Sequence, residues 1–142
     1  MIIKKNKITL KQAFKNASIA TRKRGFKLWL AARLFASYNT RGYIYLSHTY
    51  LRWIDDFIDD PEISASTKKV FIANQISLLH KLSMSEDINL LEKEEYYLFY
   101  LVKHFVEIGK IDFVKHLNNI FKSFCVVILN ICFSYVYYTN FN

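Results

Sequence analysis

Glycine and proline are scarce in this chain, with three of the first and one of the second in 142 residues. So little punctuation excludes a fold of many short strands and tight turns, and it favours long helices. Cysteine is scarce too. Cys125 and Cys132 stand seven residues apart, without zinc-ligand spacing and without a disulfide framework, so a reducing cytoplasm is the simplest setting. A secretory signal is missing: Lys4, Lys5 and Lys7 are followed by a polar, charged stretch rather than an apolar core. There is no Gly-rich phosphate loop, no Ser-His-Asp pattern and no CxxC pair. The most informative absence is acid. Residues 1–54 hold twelve Lys or Arg and no Asp or Glu.

What is present completes the picture. Hydrophobic residues make up 52% and aromatics 17%, which excludes disorder and supplies one domain with a real core. The formal charge of +8 is segregated, because all twelve acids fall between Asp55 and Asp112 with only six basic residues among them. A basic half beside an acidic cluster can attract anions and hold the metal that neutralises them. No nucleic-acid motif accompanies the basic half, so nucleic acid is not an expected partner. An anionic membrane surface or a phosphorylated substrate fits the charge equally well.

Four of the acids lie within six residues, in Arg52-Trp53-Ile54-Asp55-Asp56-Phe57-Ile58-Asp59-Asp60-Pro61. On a helix, Asp55 and Asp59 share a face one turn apart, and Asp56 stands beside them. Carboxylates held this way repel unless a cation lies between them. Hard oxygen ligands at this spacing suit magnesium, which completes its shell with water and substrate phosphates. The plain alternative is an acidic helix end, yet the dipole disfavours acids at a helix C-terminus.

Taken in order, Thr9-Leu10-Lys11-Gln12 reads as a capping box for a first helix that ends near Gly25, with Leu10, Phe14 and Ala17 on one side. The basic residues filling its other positions suit either a solvated face or phosphate and membrane binding. A second helix spans residues 26–35, and residues 36–40 read as a connection. The third starts near Thr40 or Arg41 and runs to Asp60, where Pro61 stops it. Arg41, Tyr45, His48, Arg52, Asp55 and Asp59 form a polar stripe along it, with Ile44, Leu51, Ile54 and Ile58 as an apolar one. Trp53, Tyr43, Tyr45 and Tyr50 read as packing, although aromatic faces can also stabilise a carbocation. His48 reads either as a hydrogen-bonded, half-buried histidine or as a general base or diphosphate contact. Ser64 or Ser66 caps a fourth helix to about Leu82, with Phe71, Leu78 and Leu82 buried. The run from residue 86 to 108 reads as the longest helix, closed by Gly109, with Tyr96 to Tyr100 as a core stripe. Asp112 would cap a short helix from Phe113 to about Lys122. Residues 123–142 carry no charge. Their apolar part falls short of the roughly 20 residues a membrane span needs.

The stretch from Ile44 to Pro61 resembles the first aspartate-rich helix of squalene and phytoene synthases, where an apolar-aromatic helix leads through an Arg and a short apolar spacer into Asp-Asp-x-x-Asp. Leu28-Trp29-Leu30-Ala31-Ala32-Arg33-Leu34-Phe35 is similar to that family's FYLASRLLP segment. The resemblance covers residues 8–122 in helix order and is sharp over 26–61. It implies an all-α, isoprenoid-synthase-like bundle and head-to-head condensation of two prenyl diphosphates (farnesyl or geranylgeranyl) in isoprenoid biosynthesis. Asp55 and Asp59 would hold magnesium and act in catalysis, supported by Asp56. Arg52 would contact a diphosphate oxygen or orient the carboxylates, and His48 would lie against the substrate.

The sequence departs from the family in three places. The Ser-x-Ser-Phe entrance motif is replaced by Gly25-Phe26-Lys27-Leu28, and a tyrosine common one turn before the Arg is His48. The second aspartate-rich helix of the family has no counterpart, since no acid follows Asp112. Residues 8–122 therefore resemble the N-terminal half of such a protein, an incomplete and inactive form. Residues 123–142 form a tail that stops matching, as a frameshift or truncated reading frame would give. The alternative expectation is a non-catalytic, membrane-associated scaffold or assembly factor with the same helical domain, touching the bilayer peripherally.

Overall fold

The computed structural model describes residues 8–84, 92–110 and 112–123. Every regular element among them is helical, as the scarcity of glycine and proline leads one to expect, and no strand occurs among the described residues. In chain order the helices are α1 (Leu10–Arg24), α2 (Phe26–Phe35), α3 (Tyr38–Asp59), α4 (Ala65–Ser83), α5 (Lys93–Glu107) and α6 (residues 112–123). The described residues divide into two compact units. The uncharged segment 124–142, with both cysteines, lies outside the described residues, as do residues 85–91. The run from 86 to 108, expected as the longest helix, is helical only from Lys93, after the non-helical Glu92, and its 15 residues make it shorter than α3 and α4.

The first unit comprises residues 8–54 and 92–104. The capping box at its start is present in full. The Thr9 hydroxyl accepts from the Gln12 backbone N–H, and the Gln12 side chain accepts from the Thr9 N–H, so two orphan donors of the helix end are satisfied. Ala13, Phe14, Ala17 and Thr21 form the buried face of α1. Their spacing is helical, and three of the four are small, so a second helix can approach closely. Tyr45, Leu46, Tyr50 and Ile54 of α3 are buried in the same unit, as are Tyr97, Leu98, Leu101 and Val102 of α5. Removing large apolar side chains like these from water stabilises by about 1.5–3 kcal/mol each. The Tyr97 hydroxyl is buried with no partner among the described residues, and burial keeps it firmly in its neutral form.

Gly42 marks the tightest approach of α3 to α1. A Cβ there would lie 2.7 Å from Phe14 ring carbons. That ring is itself held edge-on by Tyr43, with centroids 5.0 Å apart, and by Tyr38 at 6.3 Å. Tyr43 in turn stacks on His104 at 3.8 Å. The tyrosines of α3 thus pack, as the sequence suggests; Tyr50 is fully buried, and Tyr45 belongs to the core rather than to the polar stripe on which its spacing puts it.

The second unit comprises residues 55–84, 105–110 and 112–123. Asp60 and Pro61 close α3 with a turn. The Ile63 N–H donates to the Asp60 carbonyl at 3.3 Å, and the Asp60 carboxylate accepts from the Glu62 N–H at 2.9 Å. Proline at the second turn position pre-sets the backbone. Ser64, not Ser66, caps α4 by accepting from the Thr67 N–H. Ile72, Gln75, Leu78 and Leu79 are its buried positions, whereas Phe71 and Leu82 are only half-buried. The Phe71 ring stacks on Phe57 at 4.0 Å instead. Gly109, at φ 71°, ends α5 in a left-handed cap. The Lys110 N–H reaches the Phe105 carbonyl and the Gly109 N–H reaches that of Val106, the paired bonds of a Schellman motif. Asp112 is already helical and binds the Lys115 ammonium at 3.1 Å rather than capping from outside.

The Gly42 contact yields a stability test. Gly42→Ala gains helix propensity but forces the Phe14 ring to move against Tyr43 and Tyr38. Overpacking of this kind costs about 1–3 kcal/mol, so a net loss is expected in urea unfolding. Unchanged stability would show that the ring has room to give.

Candidate active site on α3

Helix α3 carries all five residues singled out from the sequence. It begins two to three residues earlier than the sequence suggests, at Tyr38, because the Ser37 hydroxyl accepts from the Thr40 N–H at 3.4 Å and so caps the end. His48 and Arg52 belong to the first unit, and Asp55, Asp56 and Asp59 to the second.

In the first unit, His48 is held from α1. Its Nδ1 shares a hydrogen bond with the Thr21 hydroxyl at 3.2 Å, and Thr21 is fully buried. The Thr21 hydroxyl also lies 3.3 Å from that of Thr49, which donates to the Ala17 carbonyl at 3.4 Å. A Cβ on Gly25, at the α1–α2 junction, would meet the far edge of the His48 ring at 3.0 Å. The junction residue of Gly25-Phe26-Lys27-Leu28, where the resembled family has its entrance motif, thus lies directly against His48. A polar path runs from the interior of α1 to this imidazole. Thr21 and Gly25 carry no signal of it in the sequence, since their link to His48 spans 27 and 23 residues.

Burial pushes the His48 pKa below the usual imidazole value, and the positive charges of Arg52 and Arg24 push it the same way. The neutral ring is therefore the resting form, able to donate or accept a hydrogen bond next to two guanidinium groups. The reading of His48 as a half-buried, hydrogen-bonded histidine matches this geometry. It also leaves the ring beside the cationic side chains that an anion would meet.

In the second unit, Asp55 is half-buried, and Asp56 and Asp59 are exposed. No basic residue occupies the last turn of α3, so the helix dipole is not offset by a cation on that turn. Asp60 is committed to the turn that follows. Among the described residues no three His, Cys, Asp or Glu side chains converge as a metal-holding group. Magnesium does not require such a group. It binds through one or two carboxylates and keeps water and phosphate oxygens for the rest of its shell. Two carboxylates one turn apart, with a third beside them, match that demand in donor chemistry.

The sign of the His48 shift sets a pH dependence. Below the ordinary imidazole value the unfolded chain takes up a proton that folded His48 resists, so stability falls as the pH drops through that window. The urea midpoint is expected to decrease from neutral to mildly acidic pH in the wild type, and less steeply in His48→Gln. Equal slopes would remove His48 as the cause.

No protein-family profile, curated protein or solved structure matches this chain.

Proposed function

We propose that the aspartate end of α3 is a magnesium-diphosphate site and that these residues capture a prenyl diphosphate, as in the squalene and phytoene synthases that the sequence resembles. The observation that carries this reading is a single continuous helix bearing Arg52, Asp55, Asp56 and Asp59 at intervals of one, three and four residues, with Arg52, Asp56 and Asp59 exposed. Asp55 and Asp59 hold the metal and Asp56 supports them. Arg52 offers a guanidinium fork to a diphosphate oxygen. Neutral His48 hydrogen-bonds the same anion. Magnesium, when bound, supplies Lewis-acid stabilisation of the leaving diphosphate.

On this reading residues 8–122 are the N-terminal part of an isoprenoid-synthase-like bundle. The family's second aspartate-rich helix has no counterpart within residues 1–142, so we assign to these residues capture of the diphosphate rather than condensation. A second reading, a non-catalytic scaffold held peripherally at a membrane from the cytoplasm, is favoured by α2. Phe26, Leu30, Leu34 and Phe35 are exposed there beside Lys27 and Arg33, a composition suited to an interface with anionic lipid. No described helix is long and apolar enough to cross a membrane.

Calorimetric titration with farnesyl diphosphate in magnesium separates the two readings. Asp55→Asn and Asp59→Asn are each expected to weaken binding by about tenfold or more, the scale of losing a charge-assisted ligand. Unchanged affinity in both variants would sink the metal site. A wild-type chain that binds no diphosphate at all would leave the scaffold reading.

A further inference from the structure

Within the first unit, α1, α2 and the first turns of α3 line an open cavity of about 290 Å3. Lys11 and Lys15 of α1, Arg33 of α2 and Arg41 of α3 all stand on its lining. Lys11 and Lys15 are one helical turn apart, a like-charge pair that repels. Arg41 lies in the first turn of α3, where the helix dipole disfavours a cation. The lining comes entirely from residues 1–54, a stretch that contains no carboxylate. Among the described residues, none of the four cations forms an ion pair.

The two guanidinium groups are positioned by aromatic faces instead. Arg41 lies 5.2 Å from the centroid of the Tyr38 ring, and Arg33 lies 5.3 Å from that of Trp29. Trp29 is itself fixed, donating through Nε1 to the Ser18 hydroxyl at 3.1 Å while its carbonyl accepts from Tyr45 at 3.1 Å. Aromatic stacking orients a guanidinium and leaves its charge and its N–H donors available. Phe14 and Tyr38 add an apolar wall to the same cavity.

We propose that this cavity is a binding site for a phosphate ester. Four cations around one small cavity call for a ligand with more than one negative charge. Guanidinium groups match the oxygens of phosphate with paired N–H donors, and lysines add point charge. The apolar wall takes the organic substituent on the phosphate. The volume is close to the lower end for ligand pockets, about 300 Å3, and so suits a small ester or a single lipid headgroup. The site is separate from the cations near His48. Arg41 and Arg52 are eleven residues apart on α3, roughly 16 Å along the helix. It needs no metal, so it stands or falls independently of the aspartate site.

Two probes distinguish a soluble ester from a lipid headgroup, both used with the full chain in EDTA. One is titration with phenyl phosphate, and the other is flotation with phosphatidylcholine vesicles, with and without phosphatidic acid. Arg41→Gln and the pair Lys11→Gln with Lys15→Gln are each expected to weaken binding by at least about tenfold, the scale of losing a charge-assisted hydrogen bond to phosphate. The pair sits on the exposed surface of α1 and keeps the test valid should the Arg41 variant misfold. Lys68→Gln with Lys69→Gln, on α4, removes the same charge elsewhere and is expected to leave binding unchanged. Saturable binding of phenyl phosphate assigns a soluble ester, and binding only to phosphatidic-acid vesicles assigns a headgroup. Absence of binding to both, or an equal loss in the α4 control, would overturn the proposal.

Discussion

The close approach of α1 to α3 is the constraint on which the rest of the first unit depends. It is possible because Ala13, Ala17 and Thr21 present little bulk and because Gly42 has no side chain to meet the Phe14 ring. The same approach brings the Thr21 hydroxyl to His48 and the Gly25 backbone to the imidazole edge. A larger residue at any of these points would separate the helices, and the polar path to His48 would open. Packing at the N-terminal end of α3 and hydrogen bonding further along it are therefore two consequences of one geometry.

Electrostatics runs against stability in both units, and in a manner that binding would relieve. The first 54 residues crowd cations without carboxylates, and the end of α3 gathers carboxylates where the helix dipole is already negative. Proteins are only marginally stable, by about 5–15 kcal/mol, so gathering like charge in this way is a substantial cost. A divalent cation on the aspartates and phosphate groups on the cationic surfaces would each turn repulsion into attraction.

Local chemistry was legible in the sequence, and assembly was not. The Thr9 capping box, the Pro61 stop and the Gly109 cap each follow from the preferences of residues a few positions apart. The start of α3 was harder, because Ser37 caps it ahead of an unremarkable Tyr-Asn-Thr. The buried face of α4 differs from the expected one because Phe71 stacks on Phe57 while Ile72 takes the core position. As for the site, Arg52, Asp55, Asp56 and Asp59 stand on one helix as their spacing implies. The Thr21–His48 link and the four-cation cavity could not be read in advance, since each joins helices whose packing no short pattern encodes.

The proposed magnesium-diphosphate site on α3 is tested most directly by the affinity of the unmodified chain for farnesyl diphosphate, measured once in magnesium and once in EDTA. If Asp55, Asp56 and Asp59 hold the metal that meets the diphosphate, the two ligands are coupled. Affinity should then be at least about fivefold higher with the metal, the lower end of ordinary coupling between ligands. Equal affinity in the two conditions would contradict a shared metal-diphosphate site.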